Sequence, residues 1–84
     1  MKINCIRSEI KTILINEFDI DREFNFDTLL TDIGIDSLKS IELVLALENH
    51  YGFEFDDEKL SYQTLRNINS ISEYIVTRIE DKTT

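Results

Sequence analysis

The residue types best suited to chemistry stand together in the stretch Gly34-Ile35-Asp36-Ser37-Leu38. Asp36 is a preferred residue for capping the start of a helix, and Ser37 would then occupy the first helical position. The first turn of a helix has unpaired amide groups and a partial positive charge, so an anion on Ser37 would be favoured there. Gly34 allows the loop to turn sharply into that helix. The stretch therefore suits a serine that bears a phosphate or phosphodiester, although Asp-Ser before an apolar helix is also a common cap without chemistry.

Nucleophilic catalysis by Ser37 finds little support in the rest of the sequence. A serine nucleophile needs a general base and an oxyanion hole. The only histidine, His50, lies farther along the same predicted helix. By helical rise it is about 20 Å from Ser37, so the two side chains cannot pair. No Gly-x-Ser-x-Gly motif and no Gly-rich phosphate loop is present. We therefore predict that the chain is not an enzyme and that His50 is a last-turn residue favoured by the helix dipole.

Oxygen-bearing side chains fall at every second position from Asp19 to Asp27, as in the ligand order of a calcium-binding EF-hand. Counted from Asp19, the position that needs glycine holds Phe24, and the position that needs glutamate holds Leu30. We therefore predict no metal site. The alternation is also typical of extended backbone. Residues 19–36 are predicted to be a long ordered loop, pinned by Phe24, Phe26, Leu29 and Leu30.

Composition favours one small helical domain over residues 1–84. The chain has no proline and only 2 glycines, too few turn-formers for a sheet with many tight hairpins. Cys5 is the only cysteine. It cannot form an internal disulfide, so a reduced, cytoplasmic setting fits. Since no base is near it in the sequence, Cys5 is predicted to be a small core residue. No signal peptide and no apolar run long enough to span a membrane is visible.

The net charge of −8 argues against binding to nucleic acid or to anionic membranes, both of which need basic patches. The acidity is concentrated in residues 32–58, which hold one base, Lys39, and these acids: Asp32, Asp36, Glu42, Glu48, Glu54, Asp56, Asp57 and Glu58. Solubility alone would not require this concentration. It predicts a face that steers basic protein partners with a salt-dependent association rate. A monomer is the default expectation for an acidic domain of this size.

Apolar residues recur at helical spacing in three long segments. The first covers residues 3–17, and the second covers residues 37–51 with Gly52 as its stop signal. A brief helical turn is predicted near residues 57–62. The last helix is predicted to begin near residue 64 or 67 and to end at Ile79.

The second helix has more apolar residues than one narrow stripe requires. Its core face is predicted to be Leu43, Val44, Leu47 and Tyr51. That leaves Leu38, Ile41 and Leu45, which are either part of a thin core or a binding surface beside the charged residues.

Around Ser37 the chain reads Leu30-Thr31-Asp32-Ile33-Gly34-Ile35-Asp36-Ser37-Leu38, and the second helix continues Ile41-Glu42-Leu43-Val44-Leu45-Ala46-Leu47-Glu48. Asp-Ser-Leu alone is a weak motif. In this context, over the whole chain, the sequence resembles a free-standing acyl carrier protein of the phosphopantetheine-dependent family. The resemblance implies an all-α four-helix bundle of acyl-carrier type, with three main helices, one short helix and a long loop between helices 1 and 2.

The resemblance also implies a function. Ser37 would receive a 4′-phosphopantetheine arm from coenzyme A, transferred by a separate holo-synthase (a phosphopantetheinyl transferase). The arm's thiol would carry acyl, aminoacyl or polyketide groups as thioesters, sheltered by the apolar helix ends. Acyl-loading, condensing or tailoring enzymes with basic docking patches would be the other partners. The residues implied in docking are Asp36, Leu38, Lys39, Ile41, Glu42, Leu45 and Glu48.

Three residues depart from the pattern of fatty-acid carriers. Lys39 stands where these carriers usually have an acid, and Asn49 and His50 stand where their second helix is often acidic. The departures favour a specialised pathway, polyketide, nonribosomal-peptide or related, over a carrier of fatty-acid synthesis. An alternative from another class is a small helical interaction module in which Ser37 is only structural.

Overall fold

A computed structural model describes residues 3–20 and 23–83, with side chains as far as Ile79. The regular structure of these residues consists of four α-helices and two 3-10 turns. The helices are α1 (Ile3–Glu17), α2 (Ser37–Tyr51), α3 (Tyr62–Leu65) and α4 (Ile68–Thr83), and the 3-10 turns are Leu30–Ile33 and Asp57–Lys59. The predicted all-α architecture of three main helices and a short one is confirmed. None of the described helices is long and apolar enough to cross a membrane.

The core lies where one apolar row from each long helix meets the others. These rows are Ile6, Ile10 and Leu14 of α1, Leu43, Val44 and Leu47 of α2, and Ile68, Ile71 and Ile75 of α4. Residues three and four positions apart share a helix face, so each row is continuous. The core face predicted for α2 is confirmed, with Tyr51 half-buried at its end.

The prediction that Cys5 belongs to the core is wrong, because its side chain is exposed. The buried row of α1 starts at Ile6, and adjacent positions on a helix point about 100° apart. Cys5 therefore faces away from the row that begins one residue later.

The long loop after α1 is held in place by buried apolar side chains, as predicted. Phe24 and Leu30 are buried, and Phe26 and Leu29 are half-buried. Asp21 and Arg22 of the predicted alternation lie outside the described residues. The loop differs from the prediction at Leu30–Ile33, which form a 3-10 turn rather than irregular backbone. That turn buries both Leu30 and Ile33, because side chains three residues apart are eclipsed in a 3-10 helix.

Hydrogen bonds connect the same loop to the start of α4. The N–H of Asn69 donates to the carbonyl of Phe26 (3.1 Å), and the Asn69 side-chain amide bonds the carboxylate of Asp27. Asn67 accepts the N–H of Ser70 at its Oδ1 (2.8 Å), which caps the helix. α4 therefore begins at Ile68, one residue beyond the later predicted start, and it continues to Thr83, past the predicted end at Ile79.

An aromatic cluster fixes the segment between α2 and α3. Phe53 and Phe55 are buried and stack on each other with ring centroids 5.2 Å apart, and the ring of Tyr74 packs against both. The Tyr74 hydroxyl accepts the N–H of Asp56 (3.0 Å). Instead of the one turn predicted near residues 57–62, the structure has the 3-10 turn and α3, separated by the extended backbone of Ser61.

A polar contact joins the far end of α2 to α1. His50 lies in the last turn of α2, as predicted, and its Nε2 is 2.9 Å from Glu9 Oε1. The Tyr51 hydroxyl donates to the same oxygen (3.1 Å). Burial and the neighbouring Glu9 carboxylate raise the pKa of Tyr51 well above its ordinary value, so the phenol remains a hydrogen-bond donor at neutral pH.

The buried polar side chain of Ser72 should lower the stability of the fold by a measurable amount. It is fully buried in α4, and no described residue forms a hydrogen bond with its Oγ. An unsatisfied buried hydroxyl is unfavourable, so Ser72→Ala should raise the free energy of unfolding by about 1 kcal/mol. Urea denaturation measures this. Ser70→Ala, at a half-buried site of the same helix, should change stability by no more than about 0.5 kcal/mol. An equal gain from both variants would attribute the effect to helix propensity instead.

Candidate functional site

Asp36 caps α2 and so fixes where Ser37 stands. Its backbone is extended (φ −85°, ψ −172°), and its Oδ1 accepts the N–H of Lys39 at 2.9 Å. Its carbonyl accepts the N–H of Ser40, also at 2.9 Å. These are the bonds of a helix N-cap. Ser37 is therefore the first residue of the helix, as predicted, and it is exposed.

The backbone just before the cap turns sharply and then anchors itself. Gly34 has φ +91°, which favours glycine, and its N–H donates to the carbonyl of Thr31. The next residue, Ile35, is 1% exposed, and its N–H donates to the carbonyl of Leu30 at 3.0 Å. The buried Ile35 side chain holds the chain against the core, while Ser37, two residues later, faces solvent.

A cavity of about 370 Å³ opens directly beside Ser37. Three segments form it: the end of the long loop, the first two turns of α2, and the chain from Leu60 to Arg66. Its lining is mostly apolar and consists of Leu30, Thr31, Ile35, Asp36, Ser37, Ser40, Ile41, Val44, Leu60, Ser61, Tyr62, Leu65 and Arg66. An apolar chain attached at Ser37 could enter this space and leave water.

Several lining residues were not foreseen from the sequence. Leu60, Tyr62 and Arg66 are exposed residues that meet α2 only through the fold. The N–H of Leu30 donates to the carbonyl of Arg66 at 2.9 Å, which brings the two loop segments together. The periodicity of apolar residues does not predict a backbone hydrogen bond between two loop segments.

The residues implied in docking lie together on the outer side of α2, with one exception. Leu38, Ile41 and Leu45 are 66%, 59% and 54% exposed, so these apolar residues are surface rather than core. Asp36, Lys39 and Glu42 are exposed beside them. We call Asp36, Leu38, Lys39, Ile41, Glu42 and Leu45 the outer face of α2. A role for these residues in docking remains a prediction.

Glu48 is the exception. Its side chain is half-buried, and its Oε2 accepts the N–H of Phe55 at 2.8 Å. One carboxylate oxygen thus holds the segment that follows α2. The structure gives Glu48 a structural contact in addition to the docking role predicted for it.

The described residues bring no general base to Ser37. His50 stands at the opposite end of α2, where it contacts Glu9. No group of three or more His, Cys, Asp or Glu side chains within the described ranges could hold a metal ion. The chemistry available at the site is that of an exposed hydroxyl beside an apolar cavity.

Comparison with known proteins agrees with this geometry. Residues 8–75 match the family model described as a phosphopantetheine attachment site. The acyl carrier protein of Buchnera aphidicola subsp. Acyrthosiphon pisum is 39% identical over 56 residues, which cover 64% of this chain and 70% of that protein. The acyl carrier protein of Syntrophobacter fumaroxidans is 30% identical over 77 residues, covering 89% and 93%. A crystal structure of an acyl carrier protein from Thermotoga maritima matches with a TM-score of 0.82 over 98% of this chain and 95% of the other, and at 18% identity that likeness concerns the fold.

The hydrogen bond by which Asp36 caps α2 should stabilise the fold. Asp36→Ala removes the acceptor for the Lys39 N–H and should lower the free energy of unfolding by about 1 kcal/mol. Asp36→Asn retains a side-chain oxygen and should stay within about 0.5 kcal/mol of the wild type, since Asn and Asp cap helices about equally well. Urea denaturation of both variants is the measurement. If Asp36→Asn is as unstable as Asp36→Ala, the stabilisation comes from the charge and not from the hydrogen bond.

Proposed function

Since the chain belongs to the acyl carrier protein family, we propose that Ser37 is the residue to which its cofactor, 4′-phosphopantetheine, is attached. The observation that carries the proposal is the exposed Ser37 at the first position of a capped helix, at the edge of an apolar cavity. The family match over residues 8–75 supports the further proposal that the chain is one carrier domain.

The residues present fit this cofactor. The Ser37 hydroxyl is exposed, so a transferring enzyme can reach it. Ser37 stands at the N-terminus of α2, where the helix dipole and first-turn amides without an intrahelical partner favour an anion such as a phosphodiester. The surface of the adjoining cavity is mostly apolar, which suits the apolar part of a tethered chain.

Attachment is proposed to need a separate enzyme, since His50, the histidine of the chain, contacts Glu9 at the other end of α2. Ser37 Oγ would form a bond to a phosphorus of coenzyme A, and the pyrophosphate P–O bond would break. Adenosine 3′,5′-bisphosphate would leave, and the serine proton would pass to a base of the holo-synthase. When bound, the cofactor supplies a thiol on which acyl groups are carried as thioesters. The contribution of the chain is to hold Ser37 outward by burying Ile35 and capping the helix with Asp36.

The outer face of α2 is proposed as the surface that partner enzymes bind. Leu38, Ile41 and Leu45 provide exposed apolar area, and Asp36 and Glu42 provide negative charge. A partner with apolar contacts surrounded by basic residues would complement this face in both respects. In this proposal the chain presents its cargo and catalyses no reaction itself.

A specialised pathway is proposed rather than fatty-acid synthesis, on the basis of Lys39, Asn49 and His50. Lys39 and Asn49 are exposed, so both are available to a partner. A cytoplasmic, monomeric carrier is part of the same proposal, supported by the single cysteine and the acidic composition. The mass of the group found on the protein isolated from its host would identify the cargo, and a saturated fatty acyl chain would contradict the specialised assignment.

Loading with the arm tests the attachment site. Incubated with coenzyme A, Mg²⁺ and a broad-specificity holo-synthase, the wild type should gain the mass of one phosphopantetheine group, and Ser37→Ala should gain none. Intact-protein mass spectrometry is the measurement. Ser8→Ala, on the exposed side of α1, is the matched control and should load fully. Loading of Ser37→Ala would show that the site assignment is wrong, and failure of the wild type with several synthases would favour a helical interaction module.

Charge reversal at Lys39 tests the role of the outer face of α2. Lys39→Glu should strengthen binding to a basic partner by roughly two- to fivefold, the effect of about 0.5–1 kcal/mol expected for an exposed charge pair. Stability should change by no more than about 0.5 kcal/mol. Titration calorimetry at two salt concentrations measures the affinity. Lys59→Glu makes the same charge change outside α2 and should leave affinity unchanged, whereas equal effects of both variants would mean that only net charge matters.

A further inference from the structure

The cavity beside Ser37 has one basic residue in its lining, Arg66, and one acidic residue, Asp36. The remaining lining side chains are uncharged. Two charged groups of opposite sign therefore border a mostly apolar space, at the place where a tethered group would begin. The apolar character of the cavity does not explain why a residue with a charged guanidinium, Arg66, is part of its lining.

Arg66 is exposed, and no described residue forms an ion pair or hydrogen bond with its side chain. Arg78 offers the contrast, because its guanidinium pairs with Asp56 at 3.0 Å and bonds the Tyr74 hydroxyl at 3.1 Å. Asp36 forms no ion pair with Arg66, and its Oδ1 accepts the N–H of Lys39. The main chain of Arg66 is fixed, because its carbonyl accepts the N–H of Leu30. Arg66 thus lines the cavity with a fixed main chain and an uncommitted side chain.

An anion on Ser37 would need such a group. It would stand next to the carboxylate of Asp36, which already occupies the N–H of Lys39 in the first turn of α2. Two negative charges at that distance repel each other, and a guanidinium at the shared cavity offsets this repulsion. Guanidinium also binds phosphate and carboxylate oxygens in a bidentate manner, which gives the contact a defined geometry.

We propose that Arg66 binds an anionic group tethered to Ser37 and so orients the tethered chain at the cavity. The inference rests on the proposed attachment at Ser37. The anion has two sources, the phosphodiester of the arm itself or a carboxylate on the cargo. A contact with the phosphodiester would form on every loaded chain. A contact with a carboxylate would form only when the cargo carries one.

The test uses ¹⁵N-labelled protein in four states: unloaded, loaded with the arm, loaded with acetyl cargo and loaded with succinyl cargo. Mass spectrometry confirms the state of each sample. The guanidinium Nε–Hε signals are recorded by NMR, and the Arg66→Lys spectrum, which lacks one of them, assigns the signal of Arg66. The signal of Arg78, which is already paired, serves as the control within each spectrum.

A shift of the Arg66 signal on loading with the arm alone identifies the phosphodiester, and a shift confined to the succinyl state identifies a cargo carboxylate. Either shift should shrink when salt is raised from about 0.05 to 0.5 M. The ³¹P signal of the loaded arm provides a second reading for the first source: it should move in Arg66→Gln but not in Lys59→Gln, a matched loss of charge outside the cavity. An Arg66 signal unmoved in every loaded state, or moved no more than that of Arg78, overturns the inference. A chain that accepts no arm overturns the proposed function, and this inference with it.

Discussion

The hydrogen bond from the N–H of Leu30 to the carbonyl of Arg66 joins the two connecting segments that enclose the cavity. Leu30 also accepts the N–H of Ile35 at its own carbonyl, and its side chain is buried. One residue thus ties the start of α2 to the junction between α3 and α4. Buried backbone groups must find partners, so this contact restricts where both segments can lie. The position of Ser37 follows from it, because Ile35 and Asp36 are placed by the same turn.

Among the bases whose side chains the structure describes, Arg7, Lys11 and Arg78 are engaged in internal contacts. Arg78 pairs with Asp56 and lies over the rings of Phe53 and Tyr74, and Lys11 lies over Phe24. Most carboxylates of the second helix and the following segment have no such partner, so they dominate the outer surface. Lys39 and Arg66, the bases near the attachment site, are exposed and form no ion pair with the described residues, as is also true of Lys59.

Much of the fold could be predicted from periodicity, and the site only in part. The bounds of α1 and α2 follow from apolar spacing and from Gly52, whose φ of +70° ends α2. Spacing also predicted the buried row of α2, but it left open whether Leu38, Ile41 and Leu45 belong to the core, and the structure shows that they are exposed. The buried position predicted for Cys5 was wrong. The prediction used the high frequency with which cysteine is buried in proteins, and that frequency does not tell which side of a helix faces the core.

The rest depends on long-range contacts that leave no mark on local sequence. The bond of Glu48 to the Phe55 N–H could not be foreseen, since a glutamate in a helix is ordinarily exposed. The same holds for the bonds from Asn67 and Asn69 to Asp27. Arg66 reaches the cavity because the chain folds back on Leu30. From its residue type alone, Arg66 would be predicted to be an ordinary solvent-exposed residue.

The helix α3 has a consequence for one wall of the cavity. It has four residues, none of them buried, and no side-chain hydrogen bond caps its start. Segments with few buried contacts open locally at a small fraction of the global stability. The wall of the cavity that includes Tyr62 and Leu65 is therefore its more compliant side, whereas Ile35 and Val44 on the other walls are buried in the core. On that side, the cavity of about 370 Å³ is bounded by a single turn of helix with no buried residue.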